Sequence, residues 1–93
     1  MQYVLIVHAV EAYPAWKAIF DEAATLRKSA GEISYQLLRY DTDENAIVHF
    51  SVWSSLEQAR HFFESPALVE IRAKAGVKAP HFIYLQELER GVL

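Results

Sequence analysis

The chain has 93 residues, the size of one domain, and 53% of them are hydrophobic and 13% aromatic. Its net charge of −3 and its lack of Lys and Arg clusters exclude surfaces that bind nucleic acid or anionic membranes. Because cysteine is absent, disulfides, thiolate nucleophiles and cysteine-based zinc sites are excluded as well. We expect one domain over residues 1–93, with more apolar surface than a small monomer can hide, and hence self-association.

The first strand is predicted over residues 3–10, which are apolar at both odd and even positions. A strand of this kind must be covered on both faces of its sheet. Helices of the same chain can cover one face, and a second copy of the chain is expected to cover the other. The run follows the N-terminus without a basic or cleavable leader, and no apolar stretch reaches the roughly 20 residues of a membrane span. These features predict a cytoplasmic protein without a membrane partner.

Helical periodicity follows over residues 14–30, where apolar side chains recur every three or four positions. Pro14 suits the first turn of a helix, and Gly31 suits the position just after its end. Residues 33–41 and 46–53 have strand character, and the polar residues between them predict a hairpin.

A second helical crossover follows the hairpin. Ser54, with Glu57 three residues later, predicts a capped helix start. Pro66, after a serine, predicts that the helix restarts, and Gly76 predicts its end. The last strand is expected to open at Pro80.

This order of elements predicts an α+β, ferredoxin-like βαββαβ fold. Right-handed crossovers place the helices on one face of a four-stranded antiparallel sheet with the strand order 4-1-3-2. The first and third strands are expected to form the central pair and to run parallel. The other face of the sheet is bare in a monomer, so two copies are expected to close into a dimeric α/β barrel.

The chain also resembles the antibiotic-biosynthesis-monooxygenase-like proteins of the dimeric α/β-barrel superfamily, and in particular a cyclase-like branch of them. The resemblance covers nearly the whole chain and is carried by residues 13–21 (YPAWKAIFD), 52–60 (VWSSLEQAR), 65–68 (SPAL) and 75–77 (AGV). These motifs are helix starts and helix ends, so they imply the fold rather than the chemistry. The superfamily includes cofactor-free oxygenases of polyketide quinones, haem-degrading enzymes, aromatic cyclases and muconolactone isomerases, and a shared fold does not choose among them.

His8 and His49 are the candidate catalytic residues, because both lie on the predicted central strands. A histidine in a pocket can accept and return a proton near neutral pH. His49 shares a strand face with Ser51 and Trp53, a polar and aromatic set that suits a ligand wall, so His49 is preferred over His8. The alternative for each histidine is a hydrogen bond to backbone or a position at the dimer seam. Whether the two share a face depends on the strand register.

Three further side chains are candidate ligand contacts. Arg39, on the second strand, and Arg27, on the first helix, suit an anionic or quinone-like oxygen, although an ion pair with an acidic residue is the alternative. Tyr84 can donate a hydrogen bond to a ligand carbonyl, with packing as the alternative. His61 and His81 are expected at the surface or at an edge. The four histidines are scattered, so we expect no metal site and no cofactor.

The preferred function is a cofactor-independent monooxygenase that acts on a small aromatic or quinone-like molecule. The alternatives are a non-catalytic dimeric module that binds a small apolar ligand or serves as an accessory protein, and a cyclase or isomerase in the same pocket. A cavity lined by His8 or His49 favours catalysis. A cavity filled by Trp53, Phe50 and Phe62 favours the binding module.

Haem chemistry is the first function that can be tested. Haem-degrading relatives carry an axial histidine on the segment that corresponds to residues 68–72 (LVEIR), and this chain has none there. We therefore predict that added haem produces no Soret shift typical of histidine ligation in an absorbance titration. A tight, His-ligated spectrum would contradict this prediction and would implicate His8, His49 or His61.

Overall fold

The computed structural model describes all residues 1–93. The four strands are β1 (Gln2–Val10), β2 (Glu32–Tyr40), β3 (Asp43–Trp53) and β4 (Val77–Gln86). The four helices are α1 (Tyr13–Glu22), α2 (Ala24–Ala30), α3 (Leu56–Phe63) and α4 (Pro66–Lys74). The strand order is β2-β3-β1-β4, which is the predicted order read from the other edge of the sheet. The predicted ferredoxin-like α+β fold is therefore confirmed.

The central strands β1 and β3 run antiparallel, with Ile6 opposite His49 and His8 opposite Ile47. The prediction of a parallel central pair was wrong. The first crossover leaves β2 running in the direction of β1, and the hairpin then reverses the chain before β3. Because residues that lie opposite each other share a sheet face, and because side chains alternate along a strand, the register places His8 and His49 on the same face.

The first crossover contains two helices rather than the single predicted helix over residues 14–30. The break is at Ala23, whose φ of −86° and ψ of 3° depart from helical geometry. Beside it, the carbonyl oxygen of Phe20 accepts a hydrogen bond from the buried Arg27 guanidinium, which ties α2 back onto α1. α2 ends at Gly31 as predicted, with a φ of 119° that favours glycine.

The second crossover starts one residue later than predicted. Ser55 rather than Ser54 is the N-cap of α3, and its Oγ accepts a hydrogen bond from the backbone N–H of Gln58 at 3.1 Å. Ser54 instead donates to the Gln58 side chain, so the predicted pairing of Ser54 with Glu57 was wrong. α4 begins at Pro66 as predicted. None of the four helices is long and apolar enough to span a membrane.

The core occupies the helix-facing side of the sheet in two clusters. The cluster beneath α3 and α4 contains Val4, Ile6, Trp53, Ala59, Phe62, Phe63 and Leu68. The cluster beneath α1 contains Val10, Trp16, Phe20, Ile47 and Ala75. His8 and His49 lie on the same face as these residues.

The opposite face of the sheet is apolar and carries none of the core side chains. Its half-buried residues are Tyr3, Leu5, Val7, Val48, Phe50, Val52, Ile83 and Leu85. Tyr3 and Phe50 stack across β1 and β3 with their ring centroids 5.1 Å apart. A continuous apolar face of this kind is typical of an interface.

We predict that the bare face joins two copies of the chain. Light scattering at micromolar concentration should give about twice the 10.7 kDa of one chain. Phe50→Glu places a charge in the centre of the face and should give monomers, whereas Val69→Glu, at an exposed position of α4, should leave the dimer intact. A wild-type protein that is monomeric under these conditions would contradict the prediction.

Candidate functional site

A cavity lies between the sheet and the helices, where the two core clusters meet. Its volume is about 70 Å³, and 12 of its 16 lining residues are hydrophobic. The four polar members are His8, His49, Arg27 and Arg72. An apolar pocket with a few convergent polar groups is the usual form of a small-molecule site. We therefore take this cavity as the candidate functional site.

Three buried side chains form a hydrogen-bonded relay that ends at the cavity. Glu32 accepts a hydrogen bond from Arg27 Nε at 2.6 Å through Oε1, and its Oε2 lies 2.7 Å from His49 Nε2. Gly31 turns the chain between α2 and β2, which brings Glu32 back beside Arg27. All three side chains are buried. The carboxylate and the guanidinium balance each other's charge, so the relay is neutral when His49 is neutral.

The relay fixes the orientation of His49. A carboxylate only accepts hydrogen bonds, so the Nε2 that faces Glu32 carries the proton and Nδ1 has the free lone pair. The imidazole also packs edge-on against the ring of Phe20, with centroids 5.0 Å apart. Nδ1 has no hydrogen-bond partner in the chain, and it is therefore the atom of the relay that can accept a proton from a bound molecule.

His8 is the second histidine of the cavity, and its surroundings are very different. It is 6% exposed, packs edge-on against Trp16, and neither of its ring nitrogens has a hydrogen-bond partner. Burial is the main cause that lowers the pKa of His8 to about 4, and the neighbouring His49 and Arg72 add to it. His8 is consequently neutral near pH 7, with one donor and one acceptor unused. Buried polar atoms are rarely left unpaired, so His8 points to a polar ligand or water in the cavity.

Arg72 brings a positive charge to the same cavity. Its Nη1 donates a hydrogen bond to the carbonyl oxygen of Phe63 at 3.0 Å, and its guanidinium lies 5.0 Å from the ring centroid of Phe82. Burial lowers the pKa of Arg72. Unlike Arg27, it forms no ion pair with a carboxylate.

Of the seven side chains predicted to form the site, the structure brings His8, His49 and Arg27 to the cavity. Ser51 and Trp53 share the face of His49, but Ser51 bonds to the Val4 carbonyl at 3.3 Å and to Trp53 Nε1 at 2.8 Å, and neither lines the cavity. The other two predicted contacts also lie outside it. Arg39 is exposed on the edge strand β2, and Tyr84 is half-buried beneath the guanidinium of Arg60.

Sequence reasoning missed Glu32 and Arg72. The signal for Glu32 was present, because a cation such as Arg27 on the apolar side of a helix requires a buried acidic partner. Arg72 carried no comparable signal, since its position at the cavity depends on how α4 packs over β4. No three His, Asp or Glu side chains come together in a group that could ligate a metal ion.

Comparison with known proteins gives a consistent result. Residues 8–74 match the family model described as antibiotic biosynthesis monooxygenase. The chain is similar in structure to SnoaB, a cofactor-independent oxygenase from Streptomyces nogalater, with 15% identity, a TM-score of 0.74 and coverage of 96% of this chain and 93% of SnoaB. It is also similar to a protein from Bordetella bronchiseptica assigned to the antibiotic biosynthesis monooxygenases, with 16% identity, a TM-score of 0.77 and coverage of 95% and 97%. No curated protein matches the sequence. At these identities the two structural matches show the fold.

The unpartnered His8 predicts a specific dependence of stability on pH. Its pKa is about 4 in the folded chain and near 6.5 in the unfolded chain, so the unfolded state binds more protons between these values. Stability should therefore fall by about 3 kcal/mol as the pH drops from about 6.5 to 4, with little further loss from this group below that.

Urea unfolding at fixed protein concentration measures this effect. His8→Leu should flatten the pH dependence over that interval, because Leu fills a similar volume without a titratable group. His61→Leu, at an exposed position of α3, is the matched control and should leave the dependence unchanged. An equal pH dependence in wild type and His8→Leu would contradict the assignment.

Proposed function

The chain belongs to the antibiotic biosynthesis monooxygenase family, and on that premise we propose that it is a cofactor-independent oxygenase of a small aromatic or quinone-like molecule. One observation carries the proposal, namely the buried relay of Arg27, Glu32 and His49, whose histidine lines an apolar cavity and bonds to Glu32 through Nε2. A base of this kind in a site shielded from water is what proton abstraction from an acidic C–H or O–H group requires.

The proposed reaction starts when Nδ1 of His49 takes a proton from the substrate. The resulting carbanion or phenolate is electron-rich, and it transfers one electron to dioxygen. The substrate radical and superoxide then combine, which forms a C–O bond and gives a peroxide. Protonated His49 returns its proton to the outer peroxide oxygen. The oxygenated carbon then loses its second hydrogen as a proton while the O–O bond breaks, and this proton joins the departing hydroxide, which leaves as water. One oxygen atom stays on the substrate as a carbonyl, and the substrate supplies all the electrons.

The relay contributes to this step through charge. When His49 becomes protonated, the Glu32 carboxylate stabilises the imidazolium that forms, as an acidic partner does in other histidine-containing sites. Arg27 holds Glu32 from the other side and keeps the carboxylate in position. Glu32 and Arg27 are therefore positioning residues, and His49 is the group that touches the substrate.

The size of the cavity limits how the substrate binds. About 150 Å³ of apolar space admits a benzene ring, so the 70 Å³ of this cavity holds one end of an aromatic molecule but not a whole ring system. A surface groove of about 240 Å³ adjoins it between α1, α2 and α4, and shares Ile19, Ala23 and Ile71 with the cavity lining. The substrate is expected to enter from this groove, between the three shared residues and beside the helix break at Ala23, and so to reach His49.

Oxygen uptake with a panel of anthrone-type and activated phenolic substrates tests the proposal. His49→Ala should lower turnover by roughly 10²–10⁴-fold, the usual contribution of a positioned base, and should leave the dimer intact. His61→Ala is the matched control and should keep full activity. Wild-type turnover should fall on acidification, because a protonated imidazole cannot accept the substrate proton.

Glu32→Gln separates a positioning role from a purely structural one. The amide still fits between Arg27 and His49 but lacks the negative charge, so kcat should fall while KM changes little. His8→Ala, assayed beside His49→Ala, tests the other histidine as the base.

Three results would overturn the proposal. Full activity in both histidine variants would exclude them as the base. Turnover without oxygen uptake would assign a cyclase or isomerase. A tightly retained small molecule that the wild type never turns over would assign a binding module.

A further inference from the structure

We propose that His8 and Arg72 bind an anionic oxygen, so that the preferred ligand of the cavity is a small aromatic monoanion, either a phenolate or an aromatic carboxylate. The inference deepens the proposed function, on which it rests for the claim that this ligand is also the substrate. It depends on three observations: the charge balance of the cavity, the unused hydrogen-bonding atoms in its wall, and the apolar character of the remaining lining.

The cavity lining has one uncompensated positive charge. The charge of Arg27 is neutralised by Glu32. His8 is uncharged near pH 7, and a neutral His49 adds no charge. Arg72 remains, and no carboxylate pairs with it. A half-buried cation among aromatic side chains has lost part of its hydration without gaining a counter-ion. A bound monoanion would supply the missing charge.

The same wall has unused donors. Neutral His8 has one ring N–H without an acceptor, although the side chain is buried. Arg72 has five N–H groups, and its bond to the Phe63 carbonyl uses one of them. An anionic oxygen accepts several hydrogen bonds at once, so it can satisfy His8 and Arg72 together. A neutral ligand oxygen would satisfy the bonds but leave the charge of Arg72 unbalanced.

His8 and Arg72 line the same cavity. The charge of Arg72 makes a small contribution to the lowered pKa of His8. An anion bound between them should reverse this effect, because it stabilises the protonated imidazole. The pKa of His8, followed by the NMR signals of its ring, should therefore rise from about 4 when the ligand binds.

The remaining lining determines the body of the ligand. The hydrophobic members include the rings of Trp16, Phe20, Phe62, Phe63 and Phe82. Such walls favour a flat apolar body over a sugar, a phosphate ester or an amino acid. The structure thus favours one anionic oxygen at the end of an aromatic molecule.

Calorimetric titration of the intact wild-type protein with two matched pairs of probes tests the inference. Benzoate is compared with benzamide, and 4-nitrophenolate with nitrobenzene, at a pH where each acid is ionised and His8 is neutral. We expect the anion of at least one pair to bind about tenfold or more tightly than its neutral partner. The pair with the larger preference identifies the ligand as a carboxylate or a phenolate.

Variants then assign the preference to Arg72. Arg72→Gln should abolish the preference for the anion, and Arg72→Lys should retain much of it. Arg60→Gln is the matched control, because Arg60 lies on the neighbouring helix α3, packs on Tyr84 and does not line the cavity. His8→Phe should weaken anion binding while leaving the neutral probes unaffected.

Equal affinity for the anionic and neutral members of both pairs in the wild type would overturn the inference without any variant. An unchanged anion preference in Arg72→Gln would also overturn it. Failure here is distinguishable from failure of the proposed function. Anion preference without oxygen uptake would leave this inference standing and remove the oxygenase, whereas uptake with neutral substrates and no anion preference would do the reverse.

Discussion

The carboxylate of Glu32, buried between Arg27 and His49, is the interaction on which the rest of the site depends. A buried carboxylate is tolerated only when it is paired and hydrogen-bonded, and removing one partner of such a pair typically costs about 3–5 kcal/mol. Arg27 pairs with it and also bonds the last turn of α1, which joins the two halves of the first crossover. The Arg27–Glu32 pair therefore lies beside the helix break at Ala23, and Glu32 sets the tautomer of His49.

The cavity combines this satisfied relay with two groups that are not satisfied. His8 has two unpaired ring nitrogens, and Arg72 has a charge without a counter-ion. The unpaired nitrogens of His8 lower the stability of the folded chain when the cavity is empty, since a buried polar group without a partner typically costs about 1–3 kcal/mol. A chain that needed only a packed core would gain from an apolar residue at position 8. Stability given up at a pocket is a common sign of function.

The sequence predicted the fold well because the fold is determined by local signals. Hydrophobic periodicity, Gly31 and Pro66 gave the order of the elements, and the crossover rule gave the order of the strands. The predicted direction of β3 was wrong. That direction depends on two successive connections, the first crossover and the hairpin, and not on any local pattern. The break at Ala23 was missed because the apolar periodicity continues across it, from Phe20 through Ala23 to Leu26.

The candidate site was less predictable, because residues far apart in sequence compose it. His49 was chosen for its neighbours Ser51 and Trp53, but these two bond to one another and to β1, and it is Glu32 that orients the imidazole. A single measurement tests this claim most directly, namely which ring nitrogen of neutral His49 carries the proton, read from ¹⁵N NMR. We predict that neutral His49 carries its proton on Nε2, and that this preference is lost in Glu32→Gln. A neutral His49 protonated on Nδ1 in the wild type would contradict it.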